Sequence, residues 1–254
     1  SESEKKSIKQ PLRVVIDPRL EIDLNAKWLK SDGEKWIIIN KNLNKDLNKN
    51  TGISEKIKNL SRSNIKITKE DINQASDTIK QSSIFLTQLE APIDVVEYAI
   101  EIASSHNITT ILNPGPAAKL EDNTFKLIDY FTPNETEASF YVNKEIQNEV
   151  DAKNSSKDFL NLGIKNVVIT LGATGVYFEN KDEHHFIPSL DLGDRVKDTS
   201  GAGDAFNGAF ATALCEEKSI KETLIFANAF AGISTTRIGT ANSMPSRVEI
   251  DKLI

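Results

Sequence analysis

The sequence has one cysteine, Cys215, one methionine, Met244, and an aromatic content of 7% across 254 residues. A single cysteine excludes a disulfide framework and a cysteine-cluster zinc site, and it suits a reducing compartment. Cys215 falls on an apolar helical pattern, which reads as a core position and not as a reactive thiol. There is no run of about 18 apolar residues and no signal-peptide core at the start, so neither a spanning helix nor a secretory signal is read, and the expected location is the cytoplasm without a membrane partner. Basic patches interleaved with aromatics are also missing, and the net charge is −6, which argues against nucleic acid as a partner. The three histidines, His106, His184 and His185, have no metal-ligand spacing and read as surface residues. The chain opens Ser1-Glu2-Ser3 without an initiator methionine, the expectation being a processed or truncated start, or a fragment.

What is present is ordinary for a soluble α/β protein, with 39% hydrophobic and 27% charged residues. "PLRVVID" (12–17) and "KWIIIN" (35–40) read as short strands, with Asp32-Gly33 as a turn before the second. The Asn- and Lys-rich stretch over 40–64 reads as a long polar loop. From Ile65 the pattern becomes regular. A capping box at Thr68 starts a helix to about Gln81, followed by a strand over 83–88, a helix over 94–105 and a strand over 108–114. A short helix near 120–127, a strand over 129–133, helices over 135–142 and 151–161, and a strand over 166–172 continue the alternation. A hairpin turning at 180–183, two long helices and a short one near 246–254 complete it. Alternating strands and helices predict a parallel sheet covered on both faces, with the functional site at the strands' C-terminal ends.

The most informative stretch is "DTSGAGDAFNGAFATAL" (198–214), a glycine loop running into an apolar helix. Unpaired N–H groups and the helix dipole favour an anion there, and Gly201 and Gly203 are expected to take positive φ and admit a close approach. The loop is neither a Walker A motif nor a dinucleotide fingerprint, since its spacing is G-x-G-D. A carboxylate beside a phosphate nest needs a task, and Asp204 suits a general base that accepts a proton from an attacking hydroxyl. A helix N-cap is the equally weighted alternative.

"DTSGAGDAFNGA" resembles the C-terminal signature of the ribokinase-like (PfkB) carbohydrate kinases. "LTQLEAP" (86–92), "LNPGPA" (112–117), "DYFTPNETEA" (129–138), "VVITLGATGVY" (167–177) and "ANAFAGISTTRIGTANSMP" (227–245) resemble the same family in order and spacing, over about three quarters of the chain. The resemblance implies a three-layer α/β/α fold with a mostly parallel sheet over 63–254 and part of a small β lid within 1–62. It implies ATP and D-ribose as partners, Asp204 as base, and Gly201, Ala202 and Gly203 as the anion hole. Asn134, the turn Thr170, Leu171, Gly172, Ala173, Thr174 and Gly175, and Asn228 would lie along the nucleotide, and Glu90 would contact the sugar. Glu137 would reach Mg2+ through water. Asp198, Ser200, Ser234, Arg237, Gly239 and Ser243 would enclose an activating K+. Each has a plainer reading: Asn134 and Glu137 as a helix cap followed by a solvated glutamate, 170–175 as a tight turn, Asn228 as an ordinary helix residue, and Glu90 as a surface glutamate at a strand end.

The sequence departs from the family in one respect. It has no G-G-K-G-x-N sugar clamp and no early β-α units. The nucleotide half of the site is legible while the sugar half is not, which leaves three expectations: a fragment of a D-ribose kinase, a different sugar or nucleoside kinase, or a nucleotide-binding chain without catalysis. Whether it dimerises through lid strands stays open.

Overall fold

The computed structural model describes residues 67–254 throughout and, ahead of them, strands over 13–16 and 35–38. The chain forms two compact units, Ser1–Lys66 and Ile67–Ile254. In the first, β1 (Arg13–Ile16) and β2 (Lys35–Ile38) pair in parallel, with Arg13 opposite Lys35 and Ile16 opposite Ile38. The turn expected at Asp32-Gly33, the polar loop over 40–64 and the rest of the expected lid segment lie outside the described residues.

The second unit carries six strands in sequence order: β3 (Ile84–Thr87), β4 (Thr109–Leu112), β5 (Tyr130–Phe131), β6 (Asn166–Thr170), β7 (Gly175–Asn180) and β8 (His184–Pro188). Strands β3 to β6 are parallel, and the β7–β8 hairpin closes the sheet in antiparallel fashion. Its helices are α1 (Lys69–Lys80), α2 (Ile93–Ser105), α3 (Asp122–Phe125), α4 (Glu135–Val142), α5 (Glu149–Asn161), α6 (Ala202–Cys215), α7 (Ile220–Ser234) and α8 (Arg247–Asp251).

The strands' period of two sorts their side chains into two cores. Leu112, Val167, Ile169 and Tyr177 pack with Val96, Ile100, Phe125, Ala138 and Phe159 from α2 to α5. Their neighbours Ile111, Val168, Val176 and Phe178 face the other way, onto Phe206, Phe210, Leu224, Phe226 and Ile250 from α6 to α8. Near-continuous burial along β4 and β6 is what a sheet sandwiched between helix layers requires. The fold is thus the three-layer α/β/α arrangement the alternation implies.

Local signals place most boundaries. Thr68 caps α1 in a reciprocal box, its N–H donating to Asp71 Oδ2 at 2.7 Å and its Oγ1 accepting from the Asp71 N–H at 3.4 Å. Two expectations need correction. Strand β3 stops at Thr87, so Glu90 lies beyond it in a bend and does not end the strand. Cys215 is exposed, not core: it closes α6, past the last turn of that helix that is packed against the sheet.

Candidate active site

The C-terminal ends of the parallel strands open on one edge of the sheet, and α6 begins there. Gly201 is the residue before the helix and has φ +74, a left-handed conformation in which a side chain is strained. A Cβ there would also meet Thr240 at 3.1 Å. Gly203 differs from expectation: its φ is not positive, because it already sits in the first helical turn. A Cβ built on it has no neighbour within 4 Å, so its value is open space at the helix mouth. The Ala202 N–H is partly engaged, donating to Thr199 O at 3.2 Å. The next N–H groups, of Gly203 and Asp204, find no carbonyl four residues back within the helix.

Asp204 is not the N-cap, since Gly201 is, and it stands as the third helical residue. It is exposed, and its Oδ1 accepts from Gln88 Nε2 at 3.1 Å. That nitrogen also donates to Asn113 Oδ1 at 2.9 Å. Asn113 Nδ2 donates to Thr132 O at 2.6 Å, Thr132 Oγ1 to Asn207 Oδ1 at 2.6 Å, and Asn207 Nδ2 to Gly203 O at 2.9 Å. A ring of side chains from the ends of β3, β4 and β5 therefore grips the first turn of α6. Gln88, Thr132 and Asn207 are given no role by the motifs named above; their signal in the sequence is an asparagine within an apolar helix and polar residues directly after apolar strands.

Asn134 and Glu137 form a capping box at the start of α4. The Asn134 N–H donates to Glu137 Oε2 at 2.9 Å, and the Glu137 N–H to Asn134 Oδ1 at 2.8 Å. The cap half of the plain reading holds, but Glu137 is not a solvated glutamate. Burial raises its pKa above the ordinary value, the Asn134 N–H opposes that, the Glu135 charge adds to it, and a hydrogen bond from the Asn113 side chain opposes it. Gly115 leaves room for this carboxylate, since a Cβ there would stand 2.8 Å from Glu137 Oε1.

Residues 170–175 lie beside this cap. Asn134 bridges Thr170 in parallel, and the Thr170 N–H donates to Pro133 O at 3.0 Å. Gly172, Ala173 and Thr174 form one 3-10 turn, and Leu171 is buried in the core, its N–H donating to Gly175 O and its carbonyl accepting from the Thr174 N–H, both at 2.8 Å. Gly175, at φ +134, packs its backbone onto the hairpin. Ser189 Oγ donates to Ala173 O, and Asn228 Nδ2 donates to Pro188 O at 2.8 Å, which brings α7 to the same turn. Glu90, exposed in the loop between β3 and α2, is held near this edge by Leu89 N–H to Gly115 O at 2.9 Å.

The six residues expected around a monovalent cation fall in two segments that the structure ties together. Asp198 Oδ1 accepts from the Ser200 N–H at 2.9 Å and Oδ2 from the Gly239 N–H at 2.9 Å, which lowers the Asp198 pKa. Ser234 and Ser243 are buried, and their hydroxyls donate to Ala231 O and Thr240 O. Arg237 Nη1 donates to Ser243 O and Met244 O, both at 3.4 Å. The donor set, carbonyls plus one carboxylate, has the chemistry of a hard-cation site. Among the described residues no cluster of three metal-ligating side chains exists, and Glu137 alone suits magnesium that arrives with phosphate, which needs only one or two protein carboxylates.

The model of the pfkB family carbohydrate kinases matches residues 23–247. A ribokinase of Haemophilus influenzae is 42% identical over 178 residues, covering 70% of this chain and 58% of that protein. The crystal structure of a ribokinase from Thermotoga maritima superposes with a TM-score of 0.64 at 37% identity, over 73% of this chain and 60% of that one. The Arabidopsis thaliana ribokinase complexed with ribose and ATP superposes with a TM-score of 0.67 at 27% identity, over 74% and 59%. The chain spans about three-fifths of the length of these relatives.

Proposed function

This chain belongs to the pfkB family of carbohydrate kinases, and from that premise we propose that it transfers the terminal phosphoryl group of ATP to the primary hydroxyl of D-ribose. The observation that carries the reading is the Asp204 carboxylate, exposed at the mouth of α6 beside the open backbone of Gly203 and held on one oxygen by Gln88. Asp204 accepts the hydroxyl proton as the sugar oxygen attacks the γ-phosphorus; the bond from that phosphorus to the bridging oxygen breaks, and ADP leaves with the electron pair. The backbone of Gly201, Ala202 and Gly203 faces the charge on the phosphoryl oxygens, where preorganised donors contribute most.

Asn134, the turn 170–175 and Asn228 line the nucleotide side, and Glu90 lies on the sugar side. Magnesium would be held through water by Glu137 and would neutralise charge on the phosphates. Potassium would lie between the 198–200 and 234–243 segments and would stiffen the entry to α6. The name of the Arabidopsis complex, with ribose and ATP, supports the choice of sugar and nucleotide. A homodimer through lid strands and a cytoplasmic location belong to the same reading; no described helix is long and apolar enough to cross a membrane.

A second reading, nucleotide binding without transfer, draws on the lack of a G-G-K-G-x-N element in this sequence. ADP release with MgATP and potassium, with and without D-ribose, separates the two. Transfer requires ribose-dependent release that falls by about 10²–10⁴-fold in Asp204→Asn, with ATP affinity nearly unchanged. ATP binding without release assigns the second reading, and equal loss of binding and turnover in Asp204→Asn removes the base role.

A further inference from the structure

Two backbone carbonyls set the direction of the hydrogen bonds behind Asp204. The oxygens of Thr132 and Gly203 can only accept, so the amide nitrogens of Asn113 and Asn207 must face them, at 2.6 Å and 2.9 Å. The Asn207 oxygen is thereby turned to the Thr132 hydroxyl, and the Asn113 oxygen to Gln88. Asn113, Thr132 and Asn207 are 8%, 1% and 5% exposed, so reversing any of them would leave buried polar atoms facing like atoms without water to intervene. Gln88 therefore has one admissible orientation. Its amide nitrogen gives one proton to Asn113 Oδ1 at 2.9 Å and the other to Asp204 Oδ1 at 3.1 Å.

Asn113 also borders the opposite side of the site: its Oδ1 and Glu137 Oε1 would stand 3.3 Å and 2.8 Å from a Cβ at Gly115. One line of hydrogen bonds thus runs from Asp204 through Gln88 to Asn113, which lies beside Glu137 at Gly115.

Building on the reading of Asp204 as base, we propose that Gln88 is the residue that positions it. An exposed carboxylate on a first helical turn samples several rotamers, and phosphoryl transfer depends on in-line placement. Gln88 is an obligate donor that cannot turn away, so it holds Oδ1 and leaves Oδ2 toward the acceptor hydroxyl. Its hold on Asn113 sets the base at a fixed place relative to the Glu137 side of the site.

The test pairs turnover with a readout that does not depend on it. Gln88→Met keeps the length without the donor, and Gln88→Glu keeps the shape with acceptors only. Both are expected to lower kcat by about tenfold to a hundredfold, Gln88→Glu more than Gln88→Met, with the KM values for ATP and D-ribose within about twofold and the melting temperature little changed. A structural role would move the melting temperature and both KM values instead. In the nitrogen–proton spectrum, the Gln88 side-chain amide pair is expected to move in Asp204→Asn, where the charged acceptor is gone, more than the other side-chain amides do. A Gln88 resonance indifferent to Asp204→Asn, or Gln88→Met with wild-type kcat, overturns the proposal. Failure of the base reading is distinguishable, since Asp204→Asn would then retain turnover while the Gln88 resonance still responds. If the chain shows no ribose-dependent turnover, the resonance decides: a response to Asp204→Asn upholds the hold on Asp204, and indifference overturns it.

Discussion

Asp198 and Gly239 are joined across 41 positions of sequence by one hydrogen bond, the Gly239 N–H donating to Asp198 Oδ2 at 2.9 Å. The other oxygen of the same carboxylate takes the Ser200 N–H at 2.9 Å. One side chain therefore clamps the entry to α6 against the segment that follows α7, and the Lys197 and Asp198 N–H groups reinforce it by donating to Thr235 O.

That clamp makes stability depend on pH. The Gly239 and Ser200 N–H groups lower the Asp198 pKa from its ordinary 3.8, so the folded protein binds this proton more weakly than the unfolded chain does. The contribution is complete above 3.8 and is lost as pH falls through the lower folded-state value. Asp198→Ala should lower the urea midpoint at pH 7, and its gap from the parent should narrow below about pH 4. A gap that stays constant down to pH 2 would show that the carboxylate charge is irrelevant.

Glu137 has the opposite sign. Burial raises its pKa above 4.5, so the folded state binds the proton more tightly, and the group opposes folding as pH rises through its folded-state value. Glu137→Gln keeps an oxygen to accept the Asn134 N–H while removing the buried charge. At pH 7 it should melt at or above the parent, yet bind ATP about tenfold more weakly when magnesium is present. Asn134→Ala removes the cap itself and should cost about 1 kcal/mol. If both variants lose stability and neither loses magnesium-dependent binding, the pair is a cap alone.

The contrast between these residues and the Gln88 ring shows what a sequence exposes. The cap at Asn134 and Glu137, the alternation of strand and helix, and the hairpin turn at 180–183 are local, with periods or spacings visible within a dozen residues. The ring joins positions separated by 25, 19, 75 and 116 residues, and those separations become contacts only when the register of β3, β4 and β5 is known. Asp204 reads equally as an N-cap from sequence because that preference is also local. The left-handed backbone at Gly201 moves the cap upstream and frees the carboxylate. The lid segment expected within 1–62 lies mainly outside the described residues.

The glycines divide by the space around them. At Gly175, φ is +134 and a Cβ would approach Ile187 O to 2.2 Å, which only backbone movement could relieve. Gly175→Ala should cost on the order of 3 kcal/mol, from strain and overpacking together. At Gly208, inside α6, nothing lies within 4 Å. Gly208→Ala should therefore stabilise by about 0.5–1 kcal/mol through helix propensity. Urea midpoints measure both, and equal destabilisation would contradict the packing seen at the hairpin.

One substitution should have opposite signs at two buried threonines. Thr223 is fully buried in the first turns of α7, and its Oγ1 is the buried side-chain polar atom that lacks a hydrogen-bond partner among the described residues. Its hydroxyl loses water on folding and gains nothing in return, whereas valine fills nearly the same volume without that penalty. Thr223→Val should raise stability by about 1 kcal/mol. Thr110 is 1% exposed, but its hydroxyl donates to Leu127 O at 2.7 Å and accepts the Asp129 N–H at 2.9 Å. Thr110→Val leaves the Leu127 carbonyl without its donor, while the Asp129 N–H keeps only its longer bond to Thr110 O at 3.2 Å, and should cost about 1–3 kcal/mol. Urea unfolding of the two variants beside the parent tests the pair. Loss of stability at Thr223 would mean that its hydroxyl finds a partner in solution, and no loss at Thr110 would mean that the β4–β5 connection bears little of the fold's stability.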